Sequence, residues 1–138
     1  MEPKKDKKSR VLFISSVVIV CTMVLSSFGS LASSMPPQQK ATALFDQGNL
    51  LLQQGDEIEA VSLFSLALEL DPTLIAARFQ RGATNINLGN LDAALSDFTQ
   101  LIEDNPEMAE AYKYRAQIYL AQSNTNQALA DIQQLSKL

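Results

Sequence analysis

Two arginine–aspartate couples are the most chemically capable side chains of the sequence, Arg81 with Asp97 and Arg115 with Asp131. Their spacing is the same, and the places that would extend the series toward the N-terminus hold Gln47 and Leu63. Both charges are thus present together or absent together, which is what a paired guanidinium and carboxylate require. Each Arg is expected to reach its Asp across a helical hairpin, the alternative being two unrelated solvated charges. An exposed pair of this kind is worth about 0–1 kcal/mol and sets register at most. The rest of the inventory is poor in catalytic parts. There is no His, and the single cysteine, Cys21, lies inside an apolar run. Neither a nucleophile beside its base nor a Cys/His zinc site can be assembled from what remains. The other carboxylates are spread along helical faces, where their role is a solvated surface. No Gly-rich phosphate loop follows a strand, because no strand pattern exists. The expectation is a chain that is not an enzyme and has no cofactor, metal or catalytic residues.

The elements that position these residues repeat. At an offset of 34, Pro72 falls on Pro106, and Ala60 on Ala94 and Ala128. Gly48 falls on Gly82 and Ala116, Phe64 on Phe98 and Ile132, and Leu51 on Asn85 and Tyr119. Gly55-Asp56 falls on Gly89-Asn90 and Ser123-Asn124. A period of this length is the mark of a helix–turn–helix array. Gly in mid-helix costs about 1 kcal/mol against Ala, so Gly48 and Gly82 make sense where two helices cross closely. Phe64 and Phe98 lie four residues after Ala60 and Ala94, on the same face. Gly55 and Gly89 suit the left-handed end of a first helix. Asp56, Asn90 and Asn124 offer side-chain oxygens to cap the second. Pro72 and Pro106 stop that helix and suit the first turn of the next. Six helices are predicted near 41–54, 57–70, 75–88, 91–104, 107–122 and 125–137.

This register resembles the tetratricopeptide repeat family over 41–74, 75–108 and 109–138, about seven-tenths of the chain. The resemblance implies an all-α fold, a right-handed superhelix of three helix–turn–helix hairpins. Leu44 and Tyr112 fit one large apolar position of the pattern, but Arg78 does not. Asn85 replaces another large apolar residue, and the third repeat ends before its Pro. These departures are expected to weaken the first helix of the middle repeat.

In stacked hairpins of this kind the first helices build the inner, concave wall. By the resemblance, that wall includes Thr42, Phe45, Asn49 and Leu52, then Ala76, Phe79, Ala83 and Ile86, then Glu110, Lys113, Gln117 and Leu120. Asp46, Gln80 and Tyr114 stand beside them. The protein-binding groove is therefore expected at Phe45, Asn49, Leu52, Phe79, Gln80, Ile86, Lys113, Tyr114 and Gln117, and it suits an amphipathic helix or an extended peptide. The competing reading is that Phe45, Phe79 and the Leu/Ile row only pack against neighbouring helices. Some family members hold the acidic tail of heat-shock chaperones with a Lys/Asn/Lys/Arg clamp. The matching residues here are Phe45, Asn49, Gln80, Glu110 and Tyr114, of which only Asn49 fits, so that specialised function is not expected. The alternative to a protein or peptide partner is a self-associating unit, a homo-oligomer at the membrane.

Charge divides the chain. Residues 1–40 carry six basic and two acidic side chains, net +4, whereas 41–138 carry five and thirteen, net −8. An acidic folded part repels nucleic acid, whose affinity rests mainly on neutralised phosphates. The basic cluster from Lys4 to Arg10 precedes a charge-free run from Val11 to Ala32. That order of parts fits a secretory signal, with Ser30-Leu31-Ala32 as the cleavage end. It also fits an uncleaved anchor, since about 20 residues span a bilayer. Residues 1–32 are thus a signal peptide or a single transmembrane helix, and both readings leave the basic head in the cytoplasm. The repeat domain is then membrane-anchored outside the cytoplasm, or secreted or periplasmic after cleavage. Cys21 follows Val20, which is not small, so a lipidated cysteine is not expected. Residues 33–40, with Pro36-Pro37, read as a spacer. At the other end, Leu68 and Ile102 give way to Ser136 and Leu66 to Gln134. The last helix is therefore expected to be the polar end of the stack, with Ser136 and Gln134 exposed, with Ala128, Leu129, Ile132 and Leu135 packed inward, and with no fourth repeat to follow. The opposing reading is that Leu129 and Leu138 form an apolar edge for a partner or a second copy.

Overall fold

The structure, a computed structural model, describes residues 35–138. Six α-helices are present among them: α1 (Pro37–Gln54), α2 (Glu57–Leu70), α3 (Ile75–Asn87), α4 (Leu91–Asp104), α5 (Ala109–Ala121) and α6 (Thr125–Leu135). The first helix starts earlier than the sequence suggests, inside the segment read as a spacer. The reason is local. Proline lacks the N–H that the first helical turn leaves unpaired anyway, and its fixed φ suits that turn, so Pro37 opens α1 rather than preventing it. No helix among the described residues is long and apolar enough to cross a membrane. The run 11–32, read as signal or anchor, lies outside the described residues.

Neighbours in sequence are neighbours in space. The helices pair as α1–α2, α3–α4 and α5–α6, and each second helix then meets the first helix of the next hairpin, α2 on α3 and α4 on α5. Small residues make the pairing close. A Cβ on Gly48 would stand 2.5 Å from the Phe64 ring, and one on Gly82 would stand 3.0 Å from that of Phe98. Phe64, Phe98, Ala60, Ala94 and Ala128 are all fully buried. Two apolar clusters result. One joins Ala41 of α1, Ala67 and Leu68 of α2 and Ala77 of α3. The larger runs from Ala94, Phe98, Leu101 and Ile102 of α4 to Ala111, Tyr112 and Ile118 of α5.

The turn within each hairpin is closed by a pair of backbone hydrogen bonds. The N–H groups of Asp56, Asn90 and Asn124 donate to the carbonyls of Leu51, Asn85 and Tyr119 at 2.9, 2.8 and 2.7 Å. Gly55, Gly89 and Ser123 donate to Leu52, Ile86 and Leu120 in the same turns. Gly55 and Gly89 have φ of +89° and +76°, and Ser123 takes the same left-handed region at 61°. This is the paired bond pattern that satisfies the last carbonyls of a helix. The expected side-chain caps do not form. Asp56, Asn90 and Asn124 make no side-chain cap bond; their carbonyls accept from Ala60, Ala94 and Ala128 instead. Between hairpins, Pro72 lies in a turn before α3, not in its first helical turn. The Asp71 carbonyl there accepts from the Leu74 N–H at 3.2 Å, with Pro72 at the second turn position that its φ favours.

Candidate protein-binding groove

The first helices α1, α3 and α5 carry the residues read as a groove, and two direct contacts tie them together. The Gln80 amide Nε2 donates to Asn49 Oδ1 at 3.4 Å, linking α3 to α1. The rings of Phe79 and Tyr114 meet edge to face at 5.2 Å, linking α3 to α5. Phe98 of α4 reaches up between them, 5.6 Å from Phe79 and stacked on Tyr114 at 5.0 Å. Phe45 leans on Phe64 at 5.8 Å. Phe45, Phe79, Ile86, Leu52 and Tyr114 are consequently half-buried. They face two ways, into the core with one side and outward with the other. Lys113 and Gln117 on α5 are exposed, as are Thr42, Ala76 and Glu110. Leu120, in register with Leu52 and Ile86, is 55% exposed.

Each arginine–aspartate couple forms a fork-to-fork pair. Arg81 donates from Nε to Asp97 Oδ2 at 2.9 Å and from Nη2 to Oδ1 at 2.6 Å. Arg115 does the same with Asp131 at 2.9 and 2.7 Å. The sequence alone suggests exposed pairs. In fact Asp97 and Asp131 are buried, 3% and 4% exposed, because the small residues at the helix crossing bring the acids beneath the next turn. A third partner was not foreseen. Arg81 Nη1 also donates to Ser65 Oγ at 3.2 Å, and Arg115 Nη1 to Thr99 Oγ1 at 3.4 Å. Ser65 and Thr99 belong to the preceding hairpin, so each guanidinium joins two hairpins. Their own register was the available signal: both are hydroxyl residues at an offset of 34. Hydrogen bonding to the partner acid raises both arginine pKa values further, with burial working against it.

The departures from the repeat pattern have local accounts. Arg78 sends Nη2 to the Pro72 carbonyl at 2.6 Å, bracing the turn before its own helix. Asn85 is buried at 4% exposure and accepts from Asn90 Nδ2 at 3.2 Å. Neither prevents α3, which runs its full length as a helix. The last helix differs from expectation. Ser136 is exposed, but Gln134 is half-buried, and Leu129 and Ile132 are 50% and 46% exposed rather than packed inward. Phe98 is covered because α5 lies beyond it; Ile132 holds the same register with no described helix beyond. Among the described residues, no three acidic side chains converge to hold a metal ion.

Two family models described as tetratricopeptide repeat match the chain, one over residues 41–74 and the other over 80–136. Comparison with curated proteins gives no match. Among solved structures, the second TPR of Spaghetti (RPAP3), bound to the HSP90 peptide SRMEEVD, is 20% identical with a TM-score of 0.67, over 73% of this chain and 94% of that one. The Arabidopsis OM64 TPR domain is 18% identical with a TM-score of 0.67, over 72% and 82%. The MamA protein is 17% identical with a TM-score of 0.68, over 71% of this chain and 54% of that one. At these identities the likeness is one of fold.

Proposed function

The chain belongs to the tetratricopeptide repeat family, and from that premise we propose that residues 37–138 are a protein-interaction module whose first helices hold a peptide segment of a partner. The observation that carries this is the row of half-exposed Phe45, Phe79 and Tyr114 beside the Asn49–Gln80 amide pair. Aromatic faces give apolar contact at low entropic cost, and amides read an extended backbone. The chemistry of the segment follows from charge. The wall offers Lys113 against Asp46 and Glu110, and residues 41–138 carry net −8. A neutral or basic segment is favoured, and a carboxylate-rich one such as SRMEEVD is repelled.

The test is direct. Fluorescence polarisation with labelled SRMEEVD should show no saturable binding, while neutral-to-basic amphipathic peptides on an array should bind. The double change Asn49→Ala, Gln80→Ala should weaken that binding about tenfold or more without altering helicity. Saturable binding of the acidic peptide overturns the charge preference, and indifference to the double change sinks the groove reading. Truncating Phe45 and Phe79 would not serve, since both rings also pack against the core.

A second reading is favoured by the exposed Leu120, Leu129, Ile132 and Leu138 at the C-terminal hairpin. Such an apolar end suits self-association. Light scattering that shows a monomer at micromolar concentration would dismiss it. For the address of the protein, the basic head and apolar run support export or anchoring at a membrane. Mass spectrometry of the mature protein would find a new start near Ser33 for a signal, or an intact N-terminus for an anchor; neither form at a membrane nor outside the cytoplasm would refute both.

A further inference from the structure

The outer side of the array, away from the groove, holds a cavity of about 350 Å³ between α2 and α4, with α3 as its floor. Val61 and Ser65 of α2 and Ser96 and Asp97 of α4 form its walls, and Arg81 and Asn85 form its base. This volume is at the small end of the range for ligand sites, about 300–1,000 Å³. The next junction shows what belongs there. One repeat on, Arg81 becomes Arg115 and Asn85 becomes Tyr119. The Arg115 guanidinium lies 6.0 Å from the centre of the Tyr119 ring and 5.7 Å from that of Tyr112. Arg81 has Asn85 and Arg78 in those two places, neither of them a ring. Its side chain is correspondingly more open, 25% exposed against 17% for Arg115.

Asn85 supplies a second, independent observation. Its carbonyl is taken by Asn90, but its own NH2 makes no hydrogen bond with the described residues. No fully buried polar atom among the described residues lacks a partner. The free NH2 is therefore reached from the cavity that Asn85 lines. Open to solvent on this side, the NH2 is a donor that a ligand entering the cavity can use. The Arg81–Asp97 pair leaves no net charge at the base, so an ionic ligand has nothing to gain. A guanidinium face attracts an aromatic ring. An unpaired amide donor and the Ser96 hydroxyl suit a phenolic oxygen.

We propose that this cavity receives one neutral phenolic ring, the tyrosine side chain of a protein partner, in the place that Tyr119 fills in the following repeat. The site is separate from the groove and stands or falls without it.

The test uses the full isotope-labelled chain in detergent. N-acetyl-tyrosinamide is titrated while the Asn85 side-chain amide and the Arg81 Nε–H are followed by NMR. Saturable shifts at both are expected, with N-acetyl-leucinamide at least tenfold weaker. Asn85→Tyr should abolish the response, read at the Arg81 Nε–H, by filling the site from within. Asn85→Leu, which restores the residue type of Leu51, guards against a misfit of the larger ring and should also remove it. A blocked Ser-Tyr-Ser peptide should bind at least as well as the amide. If only free p-cresol enters and the peptide does not, the site takes a small molecule and the partner proposal is overturned. It is equally overturned if no shift appears at Asn85, if leucinamide binds as well, or if both Asn85 variants still respond. Shifts confined to Gln80 and Lys113 would place the ring in the groove and refute this site while leaving the groove reading intact.

Discussion

The junction between the first two hairpins and the junction between the last two are built around the same ion pair, yet they are filled differently. At the later one, Arg115 is covered by two tyrosine rings, and a hydroxyl and a carboxylate take its fork. At the earlier one, Arg81 keeps the same polar partners but faces a cavity where a ring would be. The lesson is that the polar partners fix how one hairpin meets the next, whereas apolar cover decides how much of the guanidinium stays open. One can be lost without the other, because a bidentate pair is directional and a ring contact is not.

The largest expected effect comes from removing the guanidinium at each junction in turn. Arg115→Met leaves Asp131 buried without its partner. Breaking a buried pair costs about 3–5 kcal/mol, and partial exposure of the arginine reduces this to about 2–4. Arg81→Met should cost less, by about 1 kcal/mol, because water in the cavity can solvate Asp97. Urea denaturation followed by circular dichroism measures both. Equal losses would mean that the cavity does not hydrate Asp97, and the contrast between the junctions would collapse.

A smaller effect separates the helix crossings within the hairpins. Gly48→Ala places a Cβ 2.5 Å from Phe64, where the ring must move; Gly82→Ala places one at 3.0 Å from Phe98. Overpacking costs about 1–3 kcal/mol, set against about 1 kcal/mol of helix propensity gained. Gly48→Ala should destabilise by about 1 kcal/mol, and Gly82→Ala should fall near zero. The third repeat already carries Ala116 in this register, opposite Ile132 rather than a phenylalanine. If both changes stabilise the protein alike, the close crossings are not what these glycines are for.

Much of this was legible in advance because the repeat registers three times. The offset of 34 located α2 and α4 to the residue, since Gly55 and Gly89 mark where one helix must end and another can begin. The coincidence of Arg and Asp located the ion pairs. The start of α1 was misread because Pro-Pro breaks a helix interior but opens a helix end, and composition alone does not say which applies. The caps at Asp56, Asn90 and Asn124 were misread because the backbone closes the turn without them, and the Asn90 side chain donates to Asn85 instead. The inward packing of Leu129 and Ile132 was inferred from helical spacing, which gives the face of a helix but not whether anything lies against it.

By itself, then, the sequence determined the period, the helix type and the small-against-large crossings, because these depend on residues close along the chain or repeated at a fixed interval. Only the tertiary structure decided that Asp97 and Asp131 are buried, that Ser65 and Thr99 join the arginines, and that Phe79 and Tyr114 belong half to the core. It alone showed that Asn85 opens a cavity. Each of these depends on side chains from three helices meeting at one point, and burial is a property of that meeting rather than of any one of them.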